Sequence, residues 1–210
     1  GPTINITSCY EGLEAATLNI FSGNLSITAT DDCLNAANSD LTGYSFSMNI
    51  SGGTINAYTS SGDGFDSNGT LTISGGTVEG NVYGGGEKGE VKGSATVNVQ
   101  NGTVKGSVFG GAYGEPDQIL VLGGSTVNMT GGWVRGNVYG GSEFSDDGAD
   151  DGTTPDLVIT NLVGGIVDGN VFGGGYRGIV NGSTHLHIGT GALGKCKYYQ
   201  THSDKKPNLK

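Results

Sequence analysis

The stretch Gly75-Gly76-Thr77-Val78-Glu79-Gly80-Asn81-Val82-Tyr83-Gly84-Gly85 decides the fold, because it recurs three more times. The copies are Asn101-Gly102-Thr103-Val104-Lys105-Gly106-Ser107-Val108-Phe109-Gly110-Gly111, Gly131-Gly132-Trp133-Val134-Arg135-Gly136-Asn137-Val138-Tyr139-Gly140-Gly141 and Gly164-Gly165-Ile166-Val167-Asp168-Gly169-Asn170-Val171-Phe172-Gly173-Gly174. They are spaced by 26, 30 and 33 residues. Valine at the fourth and eighth positions and an aromatic at the ninth sit among glycines, which implies strands of two to four residues between sharp turns. Alternating runs such as Ala95-Thr96-Val97-Asn98-Val99 and Ser125-Thr126-Val127-Asn128-Met129 read as half-buried strands between the copies.

A second form of repeat precedes the first and meets it near residue 75. Thr17-Leu18-Asn19-Ile20, Leu25-Ser26-Ile27-Thr28, Met48-Asn49-Ile50 and Leu71-Thr72-Ile73 are each followed by small turn residues. Coils of this length fit a solenoid in which every strand pairs with its equivalent about 4.8 Å away on the next coil. The expected fold is therefore all-β, a right-handed parallel β-helix, with a solenoid domain over 1–194 and a basic tail or linker over 195–210. A propeller blade needs four strands in about 40 residues, more than these repeats hold. Columns of Ile, Leu and Val need little apolar material per coil, consistent with a hydrophobic fraction of 34%. The 42 glycines follow no Gly-X-Y register, and there are only 4 prolines, which excludes collagen.

The formal net charge is −10, and no Lys or Arg occurs before Lys88. Nucleic acid is excluded as an expected partner on that ground. No run approaches the roughly 18 apolar residues of a membrane helix, so insertion is not expected. Three cysteines, Cys9, Cys33 and Cys196, show no zinc spacing. Cys9 and Cys33 are open to two readings, a bridge or two buried thiols.

The N-terminal turns align as Glu11-Gly12-Leu13-Glu14-Ala15, Asp32-Cys33-Leu34-Asn35-Ala36 and Asp63-Gly64-Phe65-Asp66-Ser67, at spacings of 21 and 31 residues. Stacked coils would make one column of Glu11, Asp32 and Asp63 and a second of Glu14, Asn35 and Asp66. Like charges about 5 Å apart repel by roughly 3 kcal/mol per pair at an effective dielectric near 20. With no basic residue nearby, Ca2+ is the expected neutraliser, since turn carboxylates, amides and carbonyls suit its six to eight oxygen ligands. Asp31 would complete the set. Turn propensity alone also favours Asp, Asn and Gly, but it does not require a two-column register. A second acidic segment, Ser145-Asp146-Asp147-Gly148-Ala149-Asp150-Asp151-Gly152, reads as a solvated insertion, with a separate cation site as the alternative.

The stretch from Glu11 to Val78, with Glu-Gly-Leu-Glu-Ala, Thr-Asp-Asp-Cys-Leu-Asn-Ala, Gly-Asp-Gly-Phe-Asp-Ser-Asn-Gly and Ile-Ser-Gly-Gly-Thr-Val, resembles a bacterial carbohydrate-binding β-helix family related in fold to pectate lyases. The resemblance implies a secreted or cell-surface protein that holds calcium at Glu11, Glu14, Asp31, Asp32, Asn35, Asp63 and Asp66. It also implies binding to acidic plant polysaccharide such as polygalacturonate, and to cellulose. That family usually has glycine where Cys33 stands. The glycine-rich repeats resemble those of large bacterial surface proteins, which points to a module of a larger multidomain chain.

A polysaccharide lyase would need an Arg or Lys base beside the calcium, and the earliest candidates, Lys88 and Lys92, lie a coil beyond the last column. A binding module is therefore expected rather than an enzyme, with a calcium-stiffened structural stalk or adhesin segment as the alternative. Tyr83, Phe109, Tyr139 and Phe172 share one repeat position and would line a sugar-binding face or form an internal stack. Trp133 is a candidate exposed platform.

Overall fold

The computed structural model describes residues 1–37, 44–60, 62–86, 91, 93–115, 119–148, 157–189 and 197–198. Every strand pairing among them is parallel, and the strands stack as a β-solenoid of about five turns. The largest sheet has ten strands. Eight follow one another as Thr3–Cys9, Asn24–Ala29, Thr54–Thr59, Thr70–Val78, Ala95–Val104, Ser125–Val134, Leu157–Val167 and Ser183–Ile188. Thr17–Ile20 pairs Ser47–Ile50, which in turn pairs the first half of Thr70–Val78.

Thr70–Val78 marks the junction between the two repeat forms. Its first half continues the ladder of Ser47–Ile50 and its second half that of Thr54–Thr59. From this coil onward two strands run as one. The short strands expected around Val78, Val104, Val134 and Val167 are thus the ends of strands of 9 to 11 residues. The bend falls at one glycine per coil: Gly23, Gly53, Gly76, Gly102, Gly132 and Gly165 all have φ between 78° and 103°. Because every coil bends at the same place, the backbone ladder is irregular only at the corner and resumes in the same register beyond it, Thr103 on Thr77 and Trp133 on Ile166.

The core is a set of in-register columns. Leu71, Val97 and Val127 form one, Ile73, Val99, Met129 and Leu162 another, and all seven are buried. Outward positions alternate with these as the pleat requires, and they are laddered too. Asn49 donates to Asn19 at 3.0 Å, Asn128 to Asn98 at 2.9 Å and Asn161 to Asn128 at 2.9 Å.

A second sheet joins Val82–Tyr83, Val108–Phe109, Val138–Tyr139, Asn170–Phe172 and Lys197–Tyr198. The ladder therefore reaches into the segment expected as a linker, most of which lies outside the described residues, as do Cys196, Lys88, Lys92, Asp150 and Asp151. A third sheet, Leu13–Glu14, Leu34–Ala36 and Asp66–Ser67, carries the acidic turns. No helix among the described residues is long and apolar enough to cross a membrane.

Candidate functional site

The acidic turns stack in the register expected from their alignment. Glu14 pairs with Asn35 and Asn35 with Asp66. The neighbouring backbone continues the same ladder, Gly12 N–H donating to the Asp32 carbonyl and Cys33 N–H to that of Asp63, both at 2.9 Å.

Side chains, however, meet diagonally between the two columns. Asn35 Nδ2 donates to Glu11 Oε2 at 2.8 Å, and Asp32 and Asp66 share a side-chain hydrogen bond one coil farther on. Glu11 and Asp32 thus each contact the second-column group of the next coil. Asp32 Oδ1 also accepts the Asp63 N–H at 2.8 Å. Asp32, Asn35, Asp63 and Asp66 are buried, and Glu11 and Asp31 half-buried. Glu14 is exposed and does not join the buried group.

Burial sets the electrostatics. Loss of water raises the Asp32 carboxyl to about 6, with the Asp63 N–H opposing the shift and the charges of Asp31 and Glu11 adding to it. Desolvation, followed by the charge of Asp32, pushes Asp66 well above the usual carboxylate range. Both carboxyls are raised by loss of water, and the hydrogen bond they share requires a proton on one of the two. Asn35 Oδ1 and Asp66 Oδ1 are buried without a hydrogen-bond partner. Among the described residues no three His, Cys, Asp or Glu side chains are grouped closely enough to hold a metal ion. What the turns offer is a mixed set of carboxylate and amide oxygens, the hard donors that suit calcium.

Beside Asp63 the wall opens into a cleft of about 310 Å³, lined by Thr59, Asp63, Phe65, Asn81, Tyr83 and Tyr113 among others. The cleft marks the place where the N-terminal coils give way to the glycine-rich ones. Tyr83 is fixed in its wall by a hydroxyl that donates to Glu143 Oε2 at 2.5 Å and accepts from Asn81 at 3.1 Å. Burial and the adjacent Glu143 hold that phenol far above its ordinary value. A rigid aromatic wall with convergent polar groups is the usual makeup of a small-ligand site.

The recurrent aromatics form an internal stack. Tyr83, Phe109, Tyr139 and Phe172 lie ring on ring at 4.9, 4.7 and 4.6 Å with interplanar angles of 9° or less. Tyr83, Phe109 and Tyr139 are 3 to 6% exposed. Faces spent on one another are not open to a sugar, so of the two readings of this repeat position the structure has the internal one. Trp133 is 40% exposed, between Thr103 and Ile166 in the ladder, with the Arg135 guanidinium 5.3 Å from its ring centroid.

Two further expectations resolve here. Cys9 and Cys33 are free thiols, each donating to a backbone carbonyl, and burial raises Cys33 to about 11. Within the second acidic segment, Asp147 is buried and not solvated: Ser142 N–H donates to its Oδ2 at 2.7 Å and Ser142 Oγ lies 2.8 Å from its Oδ1. The segment reads as solvated because Asp-Asp-Gly is turn-like. Residue 147 is nevertheless drawn into the ladder, where Asp147 pairs with Val121.

Sequence reasoning missed Tyr113 and Tyr176, which edge onto the stack from outside, and Phe144, which lies edge-on between those two. Each lies two or three residues beyond the Gly-Gly pair that ends its repeat, a signal available in the sequence.

Comparison with known proteins gives one result. Residues 1–135 match the family described as carbohydrate-binding domain-containing protein. No curated protein and no solved structure matches the chain.

Proposed function

We propose, since this chain belongs to the carbohydrate-binding domain-containing family, that it is a non-catalytic, calcium-dependent module for acidic plant polysaccharide, polygalacturonate above all, in a secreted or cell-surface bacterial protein. The observation that carries the reading is the cleft beside Asp63. It lies wholly within the matched residues, has Tyr83 and Tyr113 as aromatic wall and Asn81 and Thr59 as polar groups, and borders the acidic turns.

Glu11, Asp32, Asn35 and Asp66 would supply oxygens to the ion by drawing closer together on binding, since no three carboxylates among the described residues converge as they stand. Their crowding leaves Asn35 Oδ1 and Asp66 Oδ1 without partners and leaves one carboxylate dependent on a proton, both of which a cation would remedy. Calcium, when bound, supplies positive charge where the chain has none of its own. Asp63 belongs to the acidic column and also to the cleft wall, so the ion and the sugar site are adjoining features.

The test is calorimetry of the chelator-stripped protein with calcium, followed by polygalacturonate added to the calcium form. Uptake of both is expected. Calcium uptake without polymer binding would replace the reading with that of a stalk stiffened by the ion, and absence of calcium binding would remove the acidic-turn argument.

A further inference from the structure

The internal stack is covered on its outer side by a second row of rings. Tyr113 and Phe144 have centroids 5.2 Å apart and Phe144 and Tyr176 6.2 Å, at angles of 73° and 83°. Tyr113 also meets Tyr83 edge-on at 5.9 Å, and Tyr176 meets Tyr139 at 5.7 Å. The turns carrying the row are themselves laddered: Phe144 N–H donates to the Tyr113 carbonyl, Tyr176 N–H to that of Ser142 and Arg177 N–H to that of Glu143, at 2.7 to 2.9 Å. The three rings are thereby fixed one coil apart, along the solenoid axis.

Exposure rises along the row. Tyr113 and Phe144 are half-buried and Tyr176 is 51% exposed. At that open end the Arg177 guanidinium lies 5.7 Å from the Phe144 centroid and 5.5 Å from that of Tyr176. Two other basic side chains are committed to carboxylates, Lys105 to Glu79 at 2.8 Å and Arg135 to Asp168 at 3.8 Å. Arg177 has aromatic neighbours and, among the described residues, no carboxylate partner. The row begins in the cleft, since Tyr113 lines both.

We propose that Tyr113, Phe144, Tyr176 and Arg177 form an extended polysaccharide-binding strip that continues the cleft along the solenoid axis. This rests on the carbohydrate-binding reading and places the rest of the polymer beyond the matched residues. Pyranose rings present apolar C–H faces that pack on aromatic rings, and coils repeating about every 4.8 Å offer successive contacts to a chain of repeating sugar units. Arg177 takes the polar edge of a sugar, donating either to a uronate carboxylate, where both partners are charged, or to ring hydroxyl oxygens, where only the guanidinium is. Rigid, two-torsion aromatics make such contacts with little ordering cost.

The experiment is affinity electrophoresis of the full chain, calcium present, in gels containing polygalacturonate or a soluble cellulose derivative. Tyr176→Ala and Arg177→Gln are compared with Phe21→Ala, which removes a 74% exposed ring elsewhere, and thermal melts confirm that each variant is folded. About tenfold weaker retention for Tyr176→Ala, with Phe21→Ala unchanged, is expected. Loss for Arg177→Gln in polygalacturonate alone assigns a uronate to Arg177, and equal loss in both gels assigns hydroxyls. A wild-type chain that binds while Tyr176→Ala and Arg177→Gln bind equally well overturns the strip and leaves the family reading intact. A wild-type chain that binds neither polymer overturns both.

Discussion

Asn35 Nδ2 lies 2.8 Å from Glu11 Oε2, although the two residues belong to different columns and different coils. The same diagonal step recurs between Asp66 and Asp32. The acidic turns therefore behave as one connected group, not as two parallel lines of charge.

That connection makes Asp66→Asn an informative variant. An amide at position 66 can donate to Asp32 in the hydrogen bond that the two carboxyls share, so the melting temperature without calcium should change little or rise. Calcium affinity should fall about tenfold, which is about 1.4 kcal/mol. Wild-type protein at a hundredfold excess of calcium over Kd should gain about 2.7 kcal/mol of stability. Melts with and without chelator check both expectations.

Burial of Asp147 predicts a pH dependence of its own. Its carboxyl is raised from 3.8 to about 7 by loss of water, so between those values the folded state binds more protons than the unfolded one. Stability contributed at this position is fully present below about pH 4, declines as pH rises toward 7 and is flat above. The decline is on the order of a few kcal/mol. Asp147→Asn, which mimics the neutral form, should show a shallower decline than wild type in denaturant titrations across pH 4 to 8.

Phe109 separates packing from recognition. The ring is stacked between Tyr83 and Tyr139 and 3% exposed, so Phe109→Ala should cost about 3 to 5 kcal/mol. A folded, fully stable variant with lost sugar affinity would show instead that the stack is a binding platform.

Gly132 tests the corner. Its φ of 79° and the Asn101 and Gly102 carbonyl atoms 3.0 to 3.1 Å from an added Cβ predict that Gly132→Ala costs about 1 to 3 kcal/mol. Gly80 has open space where a Cβ would stand and no left-handed φ. Gly80→Ala should therefore be nearly neutral, as measured by the same unfolding curves.

Much of this molecule could be read from its repeats, for a physical reason. In a parallel solenoid the contacts of a residue are its own equivalents one coil away, so aligning the chain with itself also aligns it in space. Val97 with Val127 and Asn35 with Asp66 are pairings that a one-dimensional comparison already contains. Tertiary structure decided what a repeat cannot encode, namely which way each side chain leans and what covers it. The diagonal from Glu11 to Asn35, the closed faces of Phe109 and Tyr139, the burial of Asp147 inside a turn-like Asp-Asp-Gly and the outer row ending at Arg177 all depend on neighbouring turns of unequal length meeting in space. Self-comparison aligns the residues of those turns, but it carries neither the lean of a side chain nor the cover that a longer neighbouring turn supplies.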